Sequence, residues 1–347
     1  MASDISVKEF GDDAGTWDRW IGGATGARLC HQHDWLQLVR DVYGGEPHYL
    51  AACRGDQISA AMPVMLRSVI GDGRVLISVP FADEGGIISD DEAAEEALLE
   101  GAREIMRDSR ASRLELRQRH PAPGLQSDVS RVNMEMALPD DAEHLWDDFK
   151  GKVRNQVRKA EKAGLTAHVA DDTHAAISDD FYPVYCENTR DLGSPMHSER
   201  FFHEVADRFP DAGEIVTVSE GDSTVGSAYA LLWRDRFAVP WASSLRRYFK
   251  KCPNNLLYWE LMRVAIEREC AVFDFGRSPV DSGTYRFKEQ WGAEPCQLHY
   301  CHLGHGSPEV GGNREGRVRR AFSSIWQKTP LPIARTIGPK IFARLPI

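Results

Sequence analysis

The chain is 347 residues long, 42% hydrophobic and 27% charged, the balance of a globular protein with room for two cores. A net charge of −10 argues against a general nucleic-acid binder, and no run of about 18 apolar residues is present to span a membrane. The acidic start Met1-Ala2-Ser3-Asp4 lacks the apolar region of a secretory signal. Seven scattered cysteines with no Cys-x-x-Cys pair read as reduced thiols, so a cytoplasmic setting is expected.

In chain order, His31-Gln32-His33-Asp34 precedes a predicted helix Trp35–Tyr43. Asp34 reads there as the N-cap, and no metal site is expected. Tyr49–Arg54 and Gln57–Leu66 read as strands joined by Gly55-Asp56. Val75–Phe81 follows as a third strand, Asp91–Ser109 as a helix with Ala94, Leu98, Ala102 and Ile105 on one face, and Arg113–Arg117 as a fourth strand. The same order recurs roughly 160 residues later: strands Glu214–Ser219, Thr224–Trp233 and Phe237–Ser243, a helix from Asn254 to Glu269, and the strand Val272–Phe275. Tight turns demand antiparallel neighbours and a helical crossover permits a parallel pair. A duplicated α/β domain is therefore expected, each copy a mixed sheet flanked by helices.

Between the copies, Phe149–Lys162 reads as a basic helix on which Arg154, Arg158 and Lys162 share a face. A solvated face is the plain reading, although three like charges in a row would also welcome an anion. The expected division is a first domain over 1–140, this linking helix over 141–165, a second domain over 166–305 and a basic tail over 306–347. From Arg317 to Ile347 the tail carries seven Lys/Arg and no acid, which suits an anionic lipid surface or the chain's own acidic body. Ile333, Ile337, Ile341, Phe342 and Leu345 are expected on one face, with Pro330, Pro332 and Pro339 breaking a single long helix.

A coenzyme A site needs a glycine-rich turn between the third strand and the helix, so that backbone amides can cradle pyrophosphate. That turn here is Ser243–Asn255. It has no glycine and instead offers Arg246, Arg247, Lys250 and Lys251. Past the last strand, Phe273–Ser278 leads into Thr284–Gly292, which places Lys288 beside aromatic rings at the carboxyl end of a strand, where a cation can neutralise a phosphate or a developing oxyanion. Asp274, flanked by apolar residues, either points at solvent or at a basic partner such as Arg277, or is the group that orients Arg277 or Lys288 near the site. Trp241 and Trp291 read first as core.

Phe287-Lys288-x-x-x-Gly292 and the Arg-x-x-x-Arg-Lys-Ala-x-Lys-x-Gly pattern from Arg154 resemble the Fem transferases. Ser78-Val79-Pro80-Phe81, Leu114–Arg117, Arg190–Pro195, Val239–Ser244 and Phe273–Ser278 resemble the FemAB-like proteins of PEP-CTERM/exosortase clusters. The resemblance implies two tandem GNAT-like domains and transfer of an acyl group to an amine on a peptidoglycan or exopolysaccharide precursor. It also implies Lys288 as the catalytic candidate and Phe287 as the acceptor-stem contact, and Asp274 joins Lys288 as a catalytic candidate on the reading of its own neighbours. Arg154, Arg158 and Lys159 would then meet phosphates of a nucleotide- or lipid-linked acceptor, and Trp241, Arg277, Ser278, Tyr285 and Phe287 would line the site. The donor would be aminoacyl-tRNA or acyl-coenzyme A, with no tightly bound cofactor. Two other readings stay open: an acyltransferase using coenzyme A or a carrier protein, and a non-catalytic adaptor at the inner face of a membrane.

Overall fold

The computed structural model describes residues 5–304 and 313–345. Its strands are β1 (Ile5–Glu9), β2 (Glu46–Arg54), β3 (Gln57–Val69), β4 (Gly73–Ser78), β5 (Ile88–Ser89), β6 (Arg113–Gln118), β7 (Gln126–Asp128), β8 (Arg131–Ala137), β9 (Leu165–Val169), β10 (Gly213–Glu220), β11 (Ser223–Trp233), β12 (Arg236–Ser244), β13 (Val272–Pro279), β14 (Glu294–Gln297) and β15 (His299–Gly304). They form two mixed sheets, and both expected copies are present. The first runs β1-β2-β3-β4-β6-β15-β7, with β5 beside β3, and the second runs β14-β8-β13-β12-β11-β10-β9.

In the first unit, hairpins join β2 to β3 and β3 to β4, and the helix Glu92–Ser109 then carries the chain over to β6, parallel to β4. Asp91 caps that helix by accepting from the Ala93 amide, and Ala94, Leu98 and Ala102 bury its apolar stripe against Leu50, Met62, Leu76 and Leu114. In the second unit, β10, β11 and β12 repeat the meander, and the helix Pro253–Glu267 crosses to β13, parallel to β12. Leu257, Leu261 and Ala265 pack there with Val216, Ala228, Phe237 and Phe273, while Val153 and Val157 bring in the helix Gly151–Lys162.

Four differences from the sequence expectation have physical causes. The units divide at Arg131 rather than 140, and residues 297–304 return to the first unit because β15 pairs with β6 and β7. The linking helix expected over 141–165 belongs to the second unit's core through Val153, Val157 and Ala160. Asp34 is not a cap. The helix starts at His33, Asp34 lies in its first turn, and Asp18 takes the His33 amide at 2.7 Å instead. The tail forms helices Asn313–Trp326 and Leu331–Phe342 within the second unit, the latter running through Pro339. Pro332 sits in its first turn, where a missing amide costs nothing. Tail residues 306–312 and 346–347 lie outside the described residues, as do the side chains of Arg317 and Arg319.

Candidate active site

Each sheet contains a parallel pair that stops short. β4 and β6 match only at Leu76↔Leu114 and Ile77↔Glu115. β12 and β13 match at Arg236↔Val272, Phe237↔Phe273 and Ala238↔Asp274, after which β12 runs on to Ser244 and β13 to Pro279 with no further register between them. Ligands in open α/β sheets bind at the carboxyl ends of strands, so these two notches are the places to look.

The first notch is filled. The Ser78 hydroxyl accepts the Arg117 amide at 3.1 Å, the Gly85 amide donates to the Arg117 carbonyl at 2.8 Å, and the Ile87 amide donates to Gln118 Oε1 at 3.1 Å. Segment 79–87 thus takes the place of a strand partner. It packs so closely that a Cβ on Gly85 would lie 2.5 Å from Val79 Cβ. His31 Nδ1 accepts the Arg28 amide at 3.0 Å, and its Nε2 lies 3.3 Å from the Gly86 carbonyl. Cys30 Sγ meets the Glu84 carbonyl at 3.1 Å, and Arg28 pairs with the Glu84 carboxylate at 2.9 Å. The Cys30-His31 pair is therefore a staple for this segment. Burial and the nearby Arg28 charge lower the His31 pKa to about 4, so the ring is neutral. Below the segment, Glu115 is gripped by Arg113 at 3.0 Å and by Arg117 at 2.7 Å, all three buried. Burial raises the Glu115 pKa, but Arg117, Arg113 and His302 outweigh it and hold the carboxyl below its ordinary value.

The second notch is shaped by a bend. Asp274 sits at the last paired position. Its carboxylate accepts from Asn133 Nδ2 at 2.9 Å, pairs with Arg236 at 3.2 Å, and accepts the Gly276 amide at 2.8 Å. Arg236 is also held by Glu135 at 2.6 Å. Gly276 has φ +75°, which breaks strand alternation and lets two successive carbonyls face one cation. That cation is Lys288, whose Nζ donates to the Gly276 carbonyl at 2.8 Å and the Arg277 carbonyl at 2.9 Å. Lys288 is 7% exposed, so this ammonium is largely desolvated, and two carbonyl dipoles help to stabilise it. Asp274 and Lys288 thus clamp one bent dipeptide from its amide and its carbonyls. They act on the backbone at 276–277, where the sequence suggested side-chain orientation.

The short helix Gly283–Glu289 that carries Lys288 is capped by Ser282, which accepts the Tyr285 amide at 3.1 Å. Its Phe287 meets Tyr258 edge-on at 5.2 Å, and Phe287 and Tyr285 are half-buried against the core. Ser278 is fully buried, and its hydroxyl has no hydrogen-bond partner among the described residues. Trp241 does not face the notch as a ligand platform. Its ring packs edge-on against Phe201 at 5.7 Å and Phe202 at 5.1 Å, the plain core reading.

On the basic helix, Arg154 pairs with Asp147 at 3.5 Å and Arg158 lies over the Trp146 ring at 5.4 Å. Lys159 is exposed, one turn from Gln156, whose side chain accepts from Asn255 at 3.2 Å at the start of the helix Pro253–Glu267. The glycine-free turn is a 3-10 segment, Arg246–Lys251, leading directly into that helix. Arg247 pairs with Glu187 and Lys251 with Glu220, whereas Arg246 and Lys250 are exposed and make no ion pair among the described residues. No group of His, Cys, Asp and Glu able to hold a metal occurs among the described residues. Sequence reasoning missed Asn133, Glu135 and Arg236. Their only signal was polar residues alternating with Val132, Met134 and Met136 in an unassigned strand.

Residues 147–289, which include this notch, the basic helix and the glycine-free turn, match the family model described as an acetyltransferase (GNAT) domain. The chain resembles the crystal structure of FemX with a TM-score of 0.66 at 14% identity, covering 82% of this chain and 94% of that one. The fold is that of two GNAT-like domains in tandem. A tandem GNAT protein from the clavulanic acid biosynthesis pathway superposes with a TM-score of 0.58 at 11% identity, over 88% of this chain and all of that one. The L-PGS structure from Bacillus licheniformis gives 0.54 at 12% identity, over 83% and 96%. No curated protein sequence matches the chain. The matched domain supports an acyltransferase.

Proposed function

We propose that the chain is an N-acyltransferase that moves an aminoacyl or other acyl group onto an amine of a cell-envelope or polysaccharide precursor, with its chemistry in the second notch. The observation that carries this reading is the clamped bend at Gly276–Arg277, in a domain whose basic turn Arg246–Lys251 has no glycine cradle. In the reaction, the amine nitrogen bonds to the acyl carbon, the bond to the donor's oxygen or sulfur breaks, and the amine loses a proton. This needs alignment and stabilisation of the tetrahedral oxyanion. Lys288 holds the bent strand in place, and its charge lies close enough to the notch to favour an oxyanion there. Asp274 fixes the same bend. Arg277, Ser278, Tyr285 and Phe287 surround it, and Ser278 supplies an uncommitted hydroxyl.

Arg246 and Lys250, with Lys159 and Arg158 on the neighbouring helix, suit a donor or acceptor with several phosphates, held by side chains rather than amides. That favours aminoacyl-tRNA over acyl-coenzyme A, and FemX and L-PGS as neighbours accord with an envelope substrate. The matched acetyltransferase domain favours the second reading, a coenzyme A or carrier-protein donor. Contact with an anionic membrane through the tail belongs to the first reading.

The deciding experiment is binding of the purified chain to aminoacylated tRNA, deacylated tRNA, coenzyme A and acetyl-coenzyme A. The first reading expects preference for the charged tRNA. Binding of acetyl-coenzyme A alone would replace it with the second, and binding of neither would leave no support for either soluble donor.

A further inference from the structure

We infer that the outer face of the two C-terminal helices is a docking surface for an anionic lipid bilayer, presented as a rigid ledge of the second unit. The inference deepens the envelope-precursor reading and rests on it for its biological sense, although the surface itself can be tested without any transfer activity.

The helix Leu331–Phe342 is held by one side. Ala334, Gly338 and Phe342 are buried, the Gly338 position packs against Met196 and Trp326, and the Phe342 ring lies 4.0 Å from that of His197. Trp326, the last residue of the preceding helix, is itself buried, so both helices are fixed to the domain. Arg335 completes the attachment through Glu199 at 3.6 Å and the Tyr182 ring at 5.1 Å. The expected single apolar face is therefore split. Phe342 points inward, while Ile333 and Ile337 point outward at 50% and 39% exposure. They are four residues apart and so stand one above the other, with Lys340 continuing the stripe. Ile325, at the end of the preceding helix, is 71% exposed.

Isoleucine is a poor choice for a surface that meets only water, and three of the eight large hydrophobic residues exposed in the described chain fall within this one short stretch. Charge says what would cover them. Arg320, Lys328 and Lys340 are exposed here, and no acidic residue occurs from Arg317 onward in a chain whose net charge is −10. A soluble acidic protein could match the cations alone. An anionic bilayer matches both parts, taking isoleucine side chains into the acyl boundary and lysines among the headgroups. With Pro339 and Gly338 in the helix, the segment is ill suited to span, and no described helix is long and apolar enough to do so.

The test is sedimentation of the full chain with vesicles of phosphatidylcholine alone and of phosphatidylcholine mixed with phosphatidylglycerol. Binding to the mixed vesicles only, weakened by salt, is expected. The paired change Ile333→Glu with Ile337→Glu, on exposed positions that leave the packed side untouched, should lower the bound fraction by about tenfold or more, and Lys328→Gln with Lys340→Gln should lower it by a similar factor. Circular dichroism of both variants checks that the fold is kept. The inference fails if wild-type protein ignores anionic vesicles, or if the isoleucine variant binds as well as wild type. It also fails if sedimentation velocity shows a dimer that the isoleucine variant dissolves, since the face would then cover a second copy. Vesicle binding without any acyl transfer would leave this surface standing and remove the enzymatic reading.

Discussion

The two notches are the same topological feature put to different ends. In the first, segment 79–87 supplies the hydrogen bonds that a parallel neighbour would have made, and Cys30, His31 and Arg28 fasten it there. In the second, a left-handed glycine bends β13, a carboxylate takes the amide and a buried lysine takes two carbonyls. A splayed parallel pair leaves backbone groups that must be satisfied somewhere. Satisfying them with a packed loop gives a scaffold. Satisfying them with charged side chains at a bend leaves a preorganised electrostatic environment, where the proposed chemistry would sit.

The largest effect should come from breaking the scaffold notch. Glu115→Ala strands Arg117 and leaves Arg113 only Asp72, at 2.7 Å; both arginines are 2% exposed, and the change should cost about 3–5 kcal/mol in urea unfolding. A cost below about 1 kcal/mol would mean the arginines are neutralised elsewhere. His31 gives the next effect. Its folded pKa of about 4 lies below the ordinary 6.5, so the unfolded chain binds the proton more readily. Stability is then full above pH 6.5 and is lost as pH falls toward 4, by about 3 kcal/mol from this group. His31→Gln should flatten that part of the pH dependence, as measured by chemical denaturation at pH 7 and pH 5. If it does not, the ring is not what holds the segment.

Smaller effects separate the notches more finely. Gly276→Ala forces a side chain into a φ of +75° and should cost about 1–2 kcal/mol. Gly85→Ala drives a methyl into Val79 and should cost about 1–3 kcal/mol through overpacking. Arg246→Ala with Lys250→Ala, both exposed and without an ion pair among the described residues, should leave the melting temperature unchanged. The pair should weaken binding of a polyphosphate donor by about tenfold, as seen by fluorescence titration. Unchanged donor affinity would remove the basic turn from the site.

Much of this fold can be read from sequence, because β2 to β4 and β10 to β12 are apolar runs broken by Gly55-Asp56 and Gly221-Asp222, and the following helices carry clear stripes. β8 escaped because Asn133 and Glu135 look like solvent-facing residues until Arg236 and Asp274 are beside them. β15 was not expected as a strand, and its residues were placed with the second domain by position, since local pattern does not say which sheet a segment joins. At the site, Lys288 stood out by its company of aromatics, and Asp274 by its apolar neighbours. That the two meet on the backbone of Gly276 depends on one dihedral angle, which composition and spacing do not encode. The tail's isoleucines were visible too, but only the packing of Ala334, Gly338 and Phe342 shows which of them face outward.

The most direct test of the division between scaffold and site is single-turnover acyl transfer, with whichever donor binds, by Gly276→Ala and Gly85→Ala proteins at a temperature where both stay folded. The account predicts that Gly276→Ala slows transfer by about tenfold or more, through loss of alignment, while Gly85→Ala transfers at the wild-type rate. The reverse pattern would place the chemistry in the first notch and contradict the account.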